Sequence, residues 1–142
     1  MNESELSEEL KKYEVLETDG YDVVKTYNSM AEKYDEVVLA SGHTDPQVVA
    51  EVVDNLLTDK DSDILELGCG TGLCVPPIRA KGFTNIDGID GSKDMLSKAE
   101  EKGIYRQLTE SFLGTPESFP EQFHGKYSLV MAMCCIGPGH IE

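Results

Sequence analysis

The sequence has 142 residues, of which 39% are hydrophobic and 27% are charged, and its formal net charge at pH 7 is −15. This length fits one domain, and the apolar content argues against wholesale disorder. Because phosphate binding draws on clustered lysine and arginine, the acidic balance disfavours nucleic acid as a partner. The apolar runs are too short to cross a membrane and the acidic N-terminus does not resemble a signal peptide, so we expect a cytoplasmic protein.

Acidic residues crowd the start of the chain, where Glu3, Glu5, Glu8, Glu9, Glu14 and Glu17 occur. A run of like charges with weak apolar periodicity is typical of a solvated segment. We therefore predict a poorly ordered acidic tail over residues 1–20, followed by one folded domain over residues 21–142.

The spacing of cysteine and histidine predicts neither a disulfide framework nor a metal site. No two cysteines form a C-x-x-C motif, and no histidine lies at a zinc-like spacing from a cysteine. We expect reduced thiols, and we expect Cys134 and Cys135 to pack as small apolar side chains at the end of a strand. The remaining residues of these two types are Cys69, Cys74, His43, His124 and His140.

Two helices are predicted before the first strand. Tyr27, Met30 and Tyr34 fall at helical spacing, which predicts a helix over residues 22–39. A second helix is expected to begin at Asp45 as its N-cap, with a proline at the first helical position. Its predicted buried stripe consists of Val48, Val49, Val52, Val53, Leu56 and Leu57.

Strands and helices alternate from residue 63 onward. Strands are predicted over residues 63–67, 85–90, 104–108 and 127–133, and helices over residues 73–80 and 92–103. This order is typical of a parallel sheet with helices on both faces and right-handed crossovers. The sequence therefore predicts an α/β fold.

The first predicted strand runs directly into the glycine-rich turn Gly68-Cys-Gly-Thr-Gly72, and Glu66 precedes this turn. Glycines let a backbone turn tightly and approach a ligand closely. A dinucleotide-binding fingerprint, G-x-G-x-x-G, would place its third glycine at position 73, where the sequence has Leu73. The observed spacing is E-x-G-x-G-x-G, which disfavours an NAD-type oxidoreductase.

A second acid, Asp90, ends the second predicted strand. In Rossmann-type sites an acid at this place hydrogen-bonds ribose hydroxyls. A carboxylate makes such contacts stronger than a neutral acceptor would. The glycine turn and Asp90 together therefore predict a site for a ligand that contains ribose.

These motifs resemble the first motif and the following strand-end acid of class I S-adenosylmethionine (SAM)-dependent methyltransferases. The resemblance implies a Rossmann-like fold and SAM as the cofactor. It places the turn near the methionine part, Asp90 near the ribose and Met95 near adenine, while Glu66 contacts the ammonium or holds the loop. Tyr34 matches an A-x-x-Y-D element that often caps the SAM pocket. The cofactor-binding residues implied in this way are Tyr34, Glu66, Gly68, Cys69, Gly70, Gly72, Asp90, Gly91, Ser92 and Met95.

Three further segments, residues 34–46, 91–96 and 103–108, look like the methyltransferase-like proteins of the Williams–Beuren syndrome chromosomal region. This similarity extends over about residues 22–140. Two departures stand against the family pattern. Tyr127 and Ser128 occupy the place of a usual Phe-Asp pair, and Glu110 is only the nearest candidate for an acid beside adenine. The fourth strand also lacks the N/D-P-P-Y/F signature of many enzymes that methylate adenine or glutamine, which disfavours that class.

The resemblance implies a sheet that continues beyond a fourth strand, where this sequence stops. We expect the fourth strand to be an exposed edge that permits self-association. The leading hypothesis is methyl transfer from SAM to an unidentified small molecule or protein, and the alternative is an inactive, truncated SAM-binding module. Methyl transfer depends largely on alignment of the reactants, so no universal catalytic residue is required. His140 is a candidate base.

Overall fold

The structure is a computed structural model that describes residues 1–14, 22–133 and 135. Its helices are α1 (Glu3–Glu14), α2 (Val23–Met30), α3 (Tyr34–Ala40), α4 (Asp45–Leu56), α5 (Val75–Ala80) and α6 (Lys93–Lys102). Its strands are β1 (Ile64–Leu67), β2 (Ile86–Asp90), β3 (Gln107–Glu110) and β4 (Leu129–Ala132). Two short 3₁₀ turns, Pro116–Ser118 and Glu121–Phe123, connect β3 to β4.

Within the described residues the strands form one sheet in the order β3-β2-β1-β4, and every neighbouring pair is parallel. Parallel strands put all their carboxyl ends at the same edge of the sheet, and ligands of open α/β sheets bind outside that edge. The predicted parallel α/β arrangement is therefore confirmed.

Both faces of the sheet are covered by apolar side chains. On the first face, Val49, Val53 and Ile78 from α4 and α5 pack against Ile64 and Ile86 of the sheet. On the second face, a cluster forms from Leu65, Ile89, Leu113 and Phe123. Because successive residues of a strand point to opposite faces, β1 and β2 contribute to both clusters.

The acidic segment at the start of the chain forms helix α1, so the prediction of a poorly ordered tail is wrong for the residues of α1. The Glu9 carboxylate lies 3.5 Å from the Lys33 ammonium. The Tyr13 ring stacks on the Tyr34 ring with 6.2 Å between their centroids. Contacts to α3 and the residue before it therefore hold a helix that weak periodicity did not indicate. Residues 15–20 of the predicted tail lie outside the described residues.

The helix predicted over residues 22–39 is divided into α2 and α3. Asp22 caps α2, because its side chain accepts a hydrogen bond from the Lys25 N–H at 3.1 Å. The chain leaves helical geometry before α3, at Lys33, where φ is −110°. The apolar periodicity continues across this break, since residues of both helices pack into one cluster with the buried Met95.

Helix α4 forms where a helix was predicted but differs in two details. Thr44 is the N-cap and Asp45 is the first helical residue, which corrects the predicted cap. The predicted apolar stripe is also divided, because a helix that packs by one face buries only the residues on that face. Val49 and Val53 are buried. The exposed members are Val48 at 57%, Val52 at 50% and Leu56 at 63%.

The third strand begins later than the predicted residues 104–108. Ile104 and Tyr105 lie in the connection that precedes the strand, and they pack against the core of the first face. Pairing with β2 begins only at Gln107, which lies opposite Asp87. β4 falls inside the predicted residues 127–133.

Among the described residues, no helix combines the length and the apolar character needed to cross a membrane.

Candidate functional site

A cleft opens at the carboxyl edge of the sheet, with about 660 Å³ of empty space that includes open solvent at its entrance. The wall includes the glycine turn after β1, the residues that follow β2, and one side of α2. The cleft therefore lies where an open parallel α/β sheet binds its ligands.

The glycine turn requires glycine at both its ends. Gly68 has φ of +62°, and a Cβ atom there would lie 2.6 Å from the Cβ of Cys135. Gly72 has φ of +83°, and a Cβ atom there would lie 2.8 Å from the ring of Tyr105. A Cβ atom at Gly70, by contrast, would meet nothing within 4 Å. The backbone of Gly70 consequently borders open space in the cleft.

Asp90 joins the two turns that form this wall. One of its carboxylate oxygens accepts a hydrogen bond from the Gly70 N–H at 2.8 Å, and the other accepts from the Ser92 N–H at 2.7 Å. The Ser92 hydroxyl then caps α6 by accepting from the Met95 N–H at 3.1 Å. Asp90 thus has a structural role in the cleft wall, which the sequence motif did not indicate.

Glu66 lies behind the glycine turn and does not line the cleft. Its side chain is 3% exposed and accepts a hydrogen bond from the Tyr105 hydroxyl at 2.6 Å. Burial raises the pKa of Glu66 to about 7; the hydrogen bond from Tyr105 opposes this rise and the charge of Asp90 adds to it. Burial also raises the pKa of the Cys69 thiol and of the Tyr105 hydroxyl, so both side chains keep their protons.

A second wall of the cleft comes from α2 and the start of α3. Val23, Val24 and Tyr27 line it from α2, and Tyr34 lines it from α3. The rings of Tyr27 and Tyr34 have centroids 6.4 Å apart. This wall is mainly apolar, whereas the other wall presents the backbone of the glycine turn and the Asp90 carboxylate.

Polar contacts tie this apolar wall to the rest of the site. The Lys102 ammonium lies 2.5 Å from the Asp35 carboxylate and donates to the Thr71 carbonyl at 2.7 Å. The Thr71 hydroxyl also donates to Asp35. The Ser92 hydroxyl donates to the Asn28 side-chain oxygen at 2.6 Å. These contacts fix α2 and α3 against the glycine turn and α6.

The structure brings most of the implied cofactor-binding residues together. Seven of them line the cleft: Tyr34, Gly68, Gly70, Asp90, Gly91, Ser92 and Met95. The other three, Glu66, Cys69 and Gly72, lie behind the glycine turn. Glu110 is exposed at the end of β3 and is not part of the cleft wall. His140 and Cys134 lie outside the described residues.

The sequence analysis did not predict several residues of the cleft wall. They are Val23, Val24 and Tyr27 on α2, Ser111, Phe112 and Leu113 after β3, and Met133 after β4. Those after β3 and β4 share one signal, because they directly follow parallel strands whose carboxyl ends meet at one edge. The α2 residues had no such signal, since nothing in their spacing says which face covers the cleft. Cys135 was predicted only to pack; it is buried, and it also lines the cleft.

Comparison with known proteins places the chain among methyltransferases. Residues 41–138 match a family described as a methyltransferase domain. Human methyltransferase-like protein 27 is 30% identical over 118 residues, which cover 81% of this chain and 47% of the human protein. The CcbJ methyltransferase from Streptomyces caelestis is 26% identical with a TM-score of 0.60, over 75% of this chain and 43% of CcbJ.

A S-adenosylmethionine-dependent methyltransferase from Clostridium acetobutylicum is 28% identical with a TM-score of 0.50, over 75% of this chain and 43% of that protein. These similarities confirm the Rossmann-like class I fold and the resemblance to methyltransferase-like proteins. The chain spans less than half the length of each of these three proteins.

Proposed function

The chain belongs to the methyltransferase domain family, and on that premise we propose that it binds SAM in the cleft and takes part in methyl transfer to a small molecule or a protein. One observation carries the proposal: the glycine turn and the Asp90 carboxylate border the same cleft. A backbone turn that approaches the ligand and an acid at the end of the second strand are the two elements that Rossmann-type nucleotide sites combine.

The residues of the cleft fit the chemical groups of SAM. Open space beside the Gly70 backbone leaves room for the methionine part. The Asp90 carboxylate is an acceptor for ribose hydroxyls, and a carboxylate oxygen has more than one lone pair with which to accept. Met95 and Phe112 supply apolar contacts for adenine, and Phe112 is exposed at the cleft beside Gly91.

SAM supplies an electrophilic methyl group on a positively charged sulfur. This chain's own contribution is to bind and orient, since alignment of nucleophile and methyl group provides much of the acceleration. The apolar wall with Tyr34 excludes water from one side of the cleft. Of the two roles open to Glu66, its enclosure by Tyr105 supports that of holding the loop.

A ligand-induced shift in melting temperature tests the proposal. A ligand at 100 times its dissociation constant stabilises the folded state by about 2.7 kcal/mol, which is readily detected. We expect SAM, or its demethylated product S-adenosylhomocysteine, to raise the melting temperature, and NAD to leave it unchanged. A shift with NAD and none with SAM would contradict the proposal.

Substitution of Asp90 locates the site. Loss of a charged acceptor costs about 1.5–3 kcal/mol, so Asp90→Ala should weaken SAM binding at least about tenfold. Because Asp90 also accepts from the Gly70 and Ser92 N–H groups, the variant should melt earlier as well. Asp94→Ala, which removes a carboxylate outside the cleft wall, is the matched control and should bind SAM normally. Equal affinities for the two variants would remove Asp90 from the site.

We also propose self-association through the outer edge of β4. In the described part of the chain β4 pairs on one side only, with β1, and Val130 at its middle is 51% exposed. An unpaired, apolar strand edge is a template for another strand. A cytoplasmic location and the absence of nucleic acid among the partners remain predictions from the charge and the sequence pattern.

A further inference from the structure

Tyr105 contacts three parts of the cofactor site from the connection that precedes β3. Its hydroxyl donates to Glu66 of β1 at 2.6 Å. Its ring lies 2.8 Å from the position of a Cβ atom at Gly72 and 3.0 Å from that of one at Gly88. Gly88 is the β2 residue opposite Glu66. The missing side chains of the two glycines therefore make the space that the Tyr105 ring fills.

Among the described residues, the Glu66 carboxylate has neutral donors around it. The groups that act on its charge are the Tyr105 hydroxyl, the Asp90 carboxylate and the Cys74 thiol, and the Cys69 thiol faces the same cluster. None of these four groups carries a positive charge. The hydrogen bond from Tyr105 is consequently the main contact that favours an ionised and fixed Glu66.

The glycine turn begins two residues after Glu66 and ends at Gly72, against the Tyr105 ring. We propose that Tyr105 is a positioning residue for this turn: its hydroxyl fixes Glu66 at the start of the turn and its ring supports Gly72 at the end. The proposal rests on the proposed binding of SAM and extends it to a residue outside the cleft wall. Tyr105 acts through Glu66 and Gly72, because it does not line the cleft itself.

The proposal has a consequence for the pH dependence of binding. An ionised Glu66 is the stronger acceptor for the Tyr105 hydroxyl, so the turn is held best when Glu66 has lost its proton. Affinity should therefore fall as the pH decreases through about 7, where Glu66 gains a proton. Without the hydroxyl, the ionised form loses a donor, and this fall should move to higher pH.

The chain offers a matched control in Tyr127. Its hydroxyl donates to the Asp87 carboxylate at 2.7 Å, which is a contact of the same kind and nearly the same length. Tyr127 lies against the second face of the sheet and does not line the cleft. Tyr127→Phe thus removes a hydrogen bond between a tyrosine and a buried carboxylate without touching the glycine turn.

The test is a calorimetric titration with S-adenosylhomocysteine between pH 5.5 and 8.5. At pH 8, Tyr105→Phe should weaken binding about tenfold, which corresponds to loss of one hydrogen bond to a charged group. The pH at which affinity falls should rise in the same variant. Glu66→Gln should remove that pH step, and adding Tyr105→Phe to Glu66→Gln should have little further effect. Tyr127→Phe should keep the affinity and pH profile of the unchanged chain.

Two results would overturn the proposal: an unchanged affinity and pH profile for Tyr105→Phe, or an equal loss in Tyr127→Phe, which would indicate general destabilisation. If the unchanged chain binds neither SAM nor its product, the proposed function fails, and amide hydrogen exchange of residues 68–72 decides about Tyr105 separately. Faster exchange there in Tyr105→Phe, but not in Tyr127→Phe, would support the positioning role. Equal exchange in both variants would contradict it.

Discussion

Two buried acids on neighbouring strands, Glu66 of β1 and Asp87 of β2, accept a hydrogen bond from a tyrosine hydroxyl but differ in ionisation. Each is 3% exposed. Burial raises the pKa of Glu66 to about 7, against the opposing hydrogen bond from Tyr105. Burial acts in the same direction on Asp87, but hydrogen bonds from Arg106 and Tyr127 outweigh it and lower the pKa of Asp87.

The difference between the two sites is the guanidinium. Two Arg106 nitrogens donate to the two oxygens of Asp87, at 2.9 Å and 2.7 Å. Glu66 has no such partner among the groups that act on its charge. A tyrosine hydroxyl therefore satisfies a buried carboxylate without keeping it ionised, whereas a bidentate guanidinium does both. Asp87, on the second face, therefore stays ionised near neutral pH, whereas Glu66, behind the cleft, gains or loses its proton there.

Of the predicted effects, the largest should be the change in folding stability caused by titration of Glu66. Because the pKa of Glu66 rises from 4.5 in the unfolded chain to about 7 in the folded chain, the folded chain binds more protons between these pH values. The free energy of unfolding should therefore decrease as the pH rises through this window, with Glu66 contributing about 3 kcal/mol. Urea denaturation at pH steps between 4.5 and 8 measures this.

Glu66→Gln is the comparison for that experiment, since the amide has a similar size and does not titrate. The difference in unfolding free energy between the two chains should change across the window and become constant above it. A difference independent of pH would show that Glu66 is ionised throughout, as Asp87 is at neutral pH.

Removing the guanidinium should make Asp87 behave like Glu66. Arg106→Ala leaves a buried carboxylate with the Tyr127 hydroxyl as its remaining side-chain donor, and should cost about 2 kcal/mol at pH 7. This figure is at the low end for a broken buried pair because the Arg106 side chain is 45% exposed. The control is Arg79→Ala, because the contacts of Arg79 within the described residues are two hydrogen bonds to carbonyl groups, both longer than 3.2 Å.

Urea denaturation at several pH values also tests whether the loss of stability in Arg106→Ala comes from the ionised Asp87. With Arg106 present, the lowered pKa of Asp87 means that its contribution to stability is held at neutral pH and lost as the solution is acidified. In Arg106→Ala the order should reverse, and acidification should restore part of the lost stability. A variant that stays equally destabilised at every pH would contradict this explanation.

Tyr127→Phe should have a smaller effect on stability. Because Arg106 still satisfies both oxygens of Asp87, loss of the tyrosine hydroxyl should cost about 1 kcal/mol.

Tyr105→Phe should cost more at pH 8, where Glu66 is ionised, than at pH 5, where it is protonated. Unfolding curves of both variants at these two pH values provide the comparison. If Tyr105→Phe lowered the free energy of unfolding equally at pH 5 and pH 8, the predicted link to the ionisation of Glu66 would be wrong.

The two edges of the sheet differ in a comparable way, with the smallest expected effect. β3 carries polar side chains, Gln107, Thr109 and Glu110, whereas β4 is wholly apolar. Self-association should therefore occur through β4 and should increase with salt, which screens the net charge of −15. Val130→Lys should reduce it in sedimentation experiments across a salt series, because a charge on an edge strand opposes pairing. Thr109→Lys on β3 should leave it unchanged.

The sequence by itself determined the parts of the molecule that depend on local chemistry. Short apolar runs gave the four parallel strands of the described sheet, and the cap at Ser92 and the stop at Gly103 gave α6. The spacing of the glycines and the strand-end position of Asp90 located the cleft. These features follow from backbone freedom, capping and periodicity within a few residues, so they can be recognised without knowledge of the partners.

Tertiary structure alone decided what those residues contact. Ile104 and Tyr105 were predicted to begin a strand, yet both pack against the core from the connection before β3. Glu66, which was expected near the cofactor or holding its loop, lies behind the turn against Tyr105. The pairings of Glu66 with Tyr105 and of Asp87 with Arg106 join residues distant along the chain. The pairing of the parallel strands and the path of the connection before β3 bring such residues together, and no local pattern encodes either.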